Sequence, residues 1–135
     1  MAFCEWVDGY SVNVAEIDRQ HQQMVQGVNR LFQAMATRSG REVLTTAIAE
    51  LIECTRDHFA TEERLMGEHG YPGLAEHARE HAQLVAELLE YNRHFVEGDT
   101  LLSFALALRL KGWALRHIVS SDRELGQFLN QHGQF

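Results

Sequence analysis

With 135 residues, 45% of them hydrophobic, the chain is long enough for one packed core and too short for two ordinary domains, so a single domain over residues 1–135 is expected. Its 12 basic residues against 19 acidic ones, a net charge of -7, exclude the clustered positive charge that a nucleic-acid partner requires. No stretch has the unbroken apolar length of a membrane span, and the N-terminus, with Glu5 and Asp8 close behind Phe3 and Cys4, lacks an export pattern, so a cytoplasmic protein is expected.

Pro72 is the only proline, and Ala, Leu, Glu, Gln and Arg recur while β-branched runs are scarce, which favours an all-α fold. After an irregular arm over about residues 1–16, Asp18 is placed to cap a first helix with the apolar stripe Ile17, Met24, Val28, Leu31 and Met35, ending near Ser39 and Gly40. His21 falls within that stripe. A second helix starts near Arg41, and its inward positions Leu44, Ile48, Leu51, Thr55, His58, Glu62 and Leu65 alternate between spacings of four and three. The Gly70-Tyr71-Pro72-Gly73 turn ends it. The third helix repeats the spacing with Leu74, His77, His81, Leu84, Leu88, Tyr91 and Phe95. Gly98 and Asp99 break the chain before a fourth, with Leu102, Leu106, Leu110, Trp113 and His117 on one face, then Asp122 and a short tail. Four helices with short connections predict an antiparallel up-down-up-down four-helix bundle with an irregular N-terminal arm and a short C-terminal tail.

The inward stripes thus carry His21, His58, Glu62, His77, His81 and His117 toward one end of every helix, with Asp122 nearby. Each buried polar group without a partner costs about 1–3 kcal/mol, so this many would consume the ~5–15 kcal/mol stability of a domain unless something in the core satisfied them. Metal ions do so, because neutral imidazoles and carboxylates are donors to first-row ions. His58 with Glu62, and His77 with His81, sit four apart on one helix face, able to reach a common site. Seven donors exceed what one ion takes, and two ions sharing carboxylates accommodate them. Spacing alone leaves the metal open, since such sites bind several ions. Cys4 and Cys54 match no metal or redox spacing and read as ordinary thiols. His69, His94 and His132 read as solvated histidines, and Glu63 as a surface charge.

On the arm with Trp6 and the runs Ile17-Asp18-Arg19-Gln20-His21, His58-Phe59-Ala60-Thr61-Glu62-Glu63, His77-x3-His81 and Trp113-x3-His117-Ile118-x3-Asp122, the sequence resembles the hemerythrins, specifically the single-domain bacterial members. The resemblance covers nearly the whole chain. It implies two non-haem irons, one carried by His77, His81 and His117 and the other by His21 and His58, with Glu62, Asp122 and an oxo or hydroxo group bridging both. It also implies reversible dioxygen binding, as hydroperoxide, at the five-coordinate iron, and small anions as ligands of the diferric state. The expectation is an oxygen carrier, storage or delivery protein rather than an enzyme, with an oxygen-consuming enzyme as a candidate recipient. The alternatives are a di-iron peroxidase or oxidase, a nitric oxide or oxygen sensor, and an iron-handling protein. Asp122 is supplied by the family pattern and not by spacing. Five residues past His117 is about 140° around an ideal helix, so a local irregularity between the two is expected. Met24, Phe59 and Trp113 are candidate walls of a dry oxygen pocket. Ala114 stands where hemerythrins commonly carry a bulky aliphatic residue, which predicts a larger pocket.

Overall fold

The computed structural model describes residues 4–38, 40–97 and 104–135, without the side chains of residues 94 and 104–107. Helices α1 (Ala15–Ala36), α2 (Arg41–His69), α3 (Leu74–Glu97) and α4 (Phe104–His117) are followed by a five-residue π turn, Ile118–Asp122, and α5 (Arg123–Gln131). The backbone stays helical through both junctions, His117 at φ -62 and Arg123 at φ -66, so α4, the π turn and α5 form the fourth rod of an antiparallel up-down-up-down bundle. No helix among the described residues is long and apolar enough to cross a membrane. The breaks expected at Ser39, Gly98 and Asp99, the position of Leu102, and the side chains of His94 and Leu106 lie outside what is described.

The first helix begins at Ala15, three residues before the expected cap. Asp18 lies inside its first turn and reaches back, its carboxylate accepting the Val12 amide at 2.9 Å and the Ser11 hydroxyl at 2.5 Å. It fastens the arm instead of capping the helix, and with Glu16 it places negative charge at the positive end of the helix dipole. At the far end of α2, Gly70 adopts φ 67, which a glycine tolerates, and the Tyr71 amide turns back to the Met66 carbonyl at 2.9 Å. The rod after Asp122 stays helical to Gln131, because Leu125 and Leu129 carry the apolar stripe onward; the non-helical tail is only residues 132–135.

Two apolar clusters share the bundle interior. One gathers Val12, Val14, Ile17, Leu65, Met66, Leu125 and Leu129, the other Leu31, Ile48, Leu51, Ile52, Phe59, Leu84 and Leu88. On α1, α2 and α3 the inward histidines fall between the residues that feed these clusters, so apolar packing closes the polar layer from both sides. The arm crosses α5 at Gly126, where a Cβ would stand 2.3 Å from the Val12 carbonyl oxygen. Asn29 holds the arm further on, pairing with the Cys4 amide and carbonyl at 2.8 and 2.7 Å. Asn130 donates to the Asn13 carbonyl, and Arg123 to that of Gly9.

Gly126→Ala is therefore expected to destabilise the protein by about 1–3 kcal/mol, the range for overpacking. Gly67→Ala, inside α2 with nothing near its Cβ, should stabilise by roughly 0.5–1 kcal/mol. Urea denaturation of the pair checks both signs; equal midpoints would contradict the close crossing of arm and α5.

Candidate metal centre

The bundle brings all seven predicted side chains into one layer, none more than 6% exposed. His21 comes from α1, His58 and Glu62 from α2, His77 and His81 from α3, His117 from the last position of α4 and Asp122 from the last position of the π turn. The π turn is the expected irregularity. Hydrogen bonding five residues apart, not four, turns residue 122 under residue 117, and His117 Nε2 lies 3.1 Å from Asp122 Oδ1.

Every imidazole presents Nε2 to the interior, and the two carboxylates divide between them. Glu62 Oε1 faces His81 at 2.9 Å and His77 at 3.4 Å, while its Oε2 faces His58 at 3.6 Å. Asp122 Oδ1 faces His77 at 3.0 Å and His117 at 3.1 Å, while its Oδ2 faces His21 at 2.9 Å. Two donor sets result, Glu62-His77-His81-His117-Asp122 and His21-His58-Glu62-Asp122, the atoms of each within 4.8 Å of one another.

These residues fit cations. Nε2 of His21, His58, His81 and His117, Glu62 Oε2 and both Asp122 oxygens are buried without a hydrogen-bond partner, although several nitrogen–oxygen separations are near 3 Å. Atoms so close yet not aligned for hydrogen bonding direct their lone pairs at shared points between them, where a positive ion satisfies all of them together. Charge states agree. Burial pushes His58 well below the usual imidazole value and His81 down to about 3, holding both neutral, as ligands must be. Burial also opposes charge on His77, but its contacts with Asp122 and Glu62 raise it to about 10. Without a metal, a proton on His77 lies beside Asp122 and Glu62, and burial, with the nearby Asp122, pushes Glu62 well above the usual carboxylate range, so that it too holds a proton more readily.

The family model for the hemerythrin HHE cation binding domain matches residues 12–129, a span that contains all seven side chains. The chain belongs to the hemerythrin family. It is 33% identical to a bacteriohemerythrin of Stenotrophomonas maltophilia, over 98% of this chain and 90% of that one, and 31% identical to a myohemerythrin of Riftia pachyptila, over 87% and 86%. A crystal structure of wild-type hemerythrin superposes with a TM-score of 0.90 at 28% identity, covering 95% of this chain and 98% of that one.

Around the polar layer of this hemerythrin lie groups that helical spacing did not single out. The His58 Nδ1 pairs with Gln20 Oε1 at 2.8 Å, and His117 Nδ1 lies 2.8 Å from Glu80 Oε2. Glu63, expected as a plain surface charge, is part-buried with Oε2 at 3.7 Å from His81 Nδ1. Each adjoins a predicted ligand in sequence, and Gln20 and Glu63 also fall within the runs that carry the family resemblance; for Glu80 adjacency to His81 is the only signal. Trp6 of the arm lies beside His21, ring centroids 6.4 Å apart.

A cavity of about 50 Å³ opens beside His21, with Met24, Val28, Leu84, Ala114 and Ile118 among its walls. Phe59 and Trp113, expected as pocket walls, are not on it. Phe59 stacks on His81, centroids 3.7 Å apart and planes 6° from parallel, and Trp113 stacks on His117 at 5.0 Å and 11°. Their rings cover imidazoles of the three-histidine set, whereas the cavity adjoins the two-histidine set. Of the other histidines, His132 is exposed and stacked on Phe128, and His69 is half-buried. Neither joins a donor set.

Adding a divalent ion to the metal-free protein is expected to raise its stability by about 4 kcal/mol at a thousandfold excess over Kd, read as a higher Tm. Because His77 must lose its proton to bind, uptake should release protons and strengthen as pH rises from neutrality toward the His77 value of about 10. Proton release into a weak buffer measures this; pH-independent binding without release would contradict the charge state assigned to His77.

Proposed function

We propose that this hemerythrin binds dioxygen reversibly at a pair of non-haem irons, acting as one domain over residues 1–135. The observation that carries the reading is the division of donors: each carboxylate turns one oxygen to two imidazoles of the His77-His81-His117 set and the other to one imidazole of the His21-His58 set. On this reading Glu62 and Asp122 would be shared by both ions. His77, His81 and His117 would hold one, and His21 and His58 the other, which would have fewer protein donors and so could take a further ligand. The apolar cavity at His21 lies on that more open side.

A pair of ferrous ions held there would supply the reversible two-electron chemistry that dioxygen binding needs. The chain's own part is positioning and exclusion. Gln20 fixes the His58 ring through Nδ1, so that Nε2 keeps its lone pair for the centre. Trp6 beside His21, and Met24, Val28 and Ala114 on the cavity wall, limit the entry of water that would drive off reduced oxygen. Thr55 reaches the same wall, but its hydroxyl donates to the Leu51 carbonyl at 2.8 Å. Burial pushes the Cys4 thiol up, making it a still weaker acid. Among the described wall residues outside the donor sets, Lys111 is then the remaining one able to donate a proton. That poverty of acids favours a carrier, store or delivery protein over an oxidase or peroxidase, which needs protons to split the O–O bond. The setting proposed is cytoplasmic, with an oxygen-consuming enzyme as recipient and small anions as competitors in the diferric state.

The test is a visible spectrum of the iron-loaded protein after reduction, after oxygen, and after oxygen is purged. A colourless reduced form that gains a charge-transfer band with oxygen and loses it on purging is expected. Irreversible oxidation at first contact contradicts reversible binding, and peroxide turnover abolished by Lys111→Met would establish the enzyme instead. Ala114→Leu fills part of the cavity and should slow both azide entry and autoxidation. Unchanged rates would show that Ala114 does not govern access.

A further inference from the structure

We infer that Glu80, assisted by Glu63, makes the His77-His81-His117 position the tighter of two ion sites, so that the chain fills it first and the His21-His58 position second. The inference rests on the two-ion reading above and concerns what lies behind the imidazoles. Each ring that turns Nε2 inward leaves Nδ1 facing the surrounding protein, and the groups waiting there differ between the two sets.

Behind the three-histidine set stand carboxylates. Glu80 Oε2 is 2.8 Å from His117 Nδ1 and is held there by the Ser121 hydroxyl, which donates to the same oxygen at 2.9 Å. Ser121 belongs to the π turn, so the turn that delivers Asp122 also anchors Glu80. Glu63 Oε2 stands 3.7 Å from His81 Nδ1. Among the described residues, no carboxylate is in contact with the outer nitrogens of the two-histidine set. The Thr61 hydroxyl donates to the Asp57 carbonyl at 3.1 Å, leaving its oxygen to accept from Gln20 Nε2 at 3.0 Å. That orients the Gln20 amide with Oε1 toward His58 Nδ1, a neutral acceptor. His21 Nδ1, like His81 Nδ1 and His117 Nδ1, is buried with no aligned hydrogen-bond partner; what sets the two sides apart is the carboxylate oxygen standing near each of the latter two.

An imidazole whose outer nitrogen faces a carboxylate is a more basic, more electron-rich ligand than one facing an amide, and outer partners of this kind are worth roughly 10–100-fold in metal affinity. One more imidazole already favours the three-histidine position, and the two carboxylates widen the difference. Glu80 contributes more than Glu63, being closer, although both are more than a third exposed and water screens part of their charge.

The experiment titrates metal-free protein with Co2+, followed by calorimetry and by the visible bands of the bound ion. The wild-type chain is expected to take two Co2+ in two resolved steps. Glu80→Gln keeps an oxygen acceptor for Ser121 and gives His117 the kind of neutral partner that His58 has. It should weaken the first step by about 10–100-fold and alter the spectrum of the first ion, with the second step little changed. Gln20→Glu should do the reverse, tightening the second step alone, and thermal melting of the metal-free variants checks that each is folded. If Glu80→Gln leaves the first step unchanged or weakens both equally, or if Gln20→Glu fails to tighten the second, the inference is overturned while the two-ion centre stands. Binding of a single Co2+ by the wild-type chain would overturn both.

Discussion

Five imidazoles and two carboxylates share a buried layer of the bundle, and the rest of the structure answers to that constraint. In most cores a buried histidine or glutamate is matched one-to-one by a hydrogen bond. Here the nitrogens and oxygens approach to about 3 Å without aligning for such bonds. Polar groups left in that state oppose folding by amounts that compare with the whole stability of a small domain. The apolar clusters above and below the layer supply the opposing free energy and hold the helices so that the donors converge.

The same constraint accounts for the π turn in the fourth rod and for the close crossing of the arm that follows from it. A straight α-helix through His117 would swing Asp122 away, and the π turn at Ile118–Asp122 restores it while letting α5 continue into the core through Leu125 and Leu129. The crossing of the arm over Gly126 then seals the end of the bundle near Ile17, with Asp18, Arg123 and Asn130 tying the arm in place. Positioning the donors and closing the bundle end are thus parts of one arrangement.

Much of this was legible from residue spacing. The alternating four-and-three pattern put His21, His58, Glu62, His77, His81 and His117 on inward faces because helix periodicity determines which positions share a stripe. It was blind to Asp122, whose placement depends on a backbone distortion that no periodicity encodes. Asp18 misled for a related reason: a residue type suited to capping also suits the first turn, and burial of Val14 and Ile17 sets where the helix starts. Phe59 and Trp113 were recognisable as neighbours of ligands, but adjacency in sequence does not say which side of an imidazole a ring will cover. Gln20 and Glu80 were invisible to stripe analysis, because they lie off the stripe and reach the imidazoles by side-chain length.

What distinguishes the two halves of the centre is access and surroundings: aromatic rings and carboxylates around three histidines, an apolar cavity and a neutral amide around two. That asymmetry is the physical basis for assigning ligand binding to the His21-His58 side. The most direct measurement of the central claim, two ions held together by these seven side chains, is iron X-ray absorption on the loaded protein with two irons per chain. The account predicts an iron–iron scattering shell and imidazole scattering corresponding to five histidines shared by two irons. Iron in full occupancy with no iron–iron shell would contradict it.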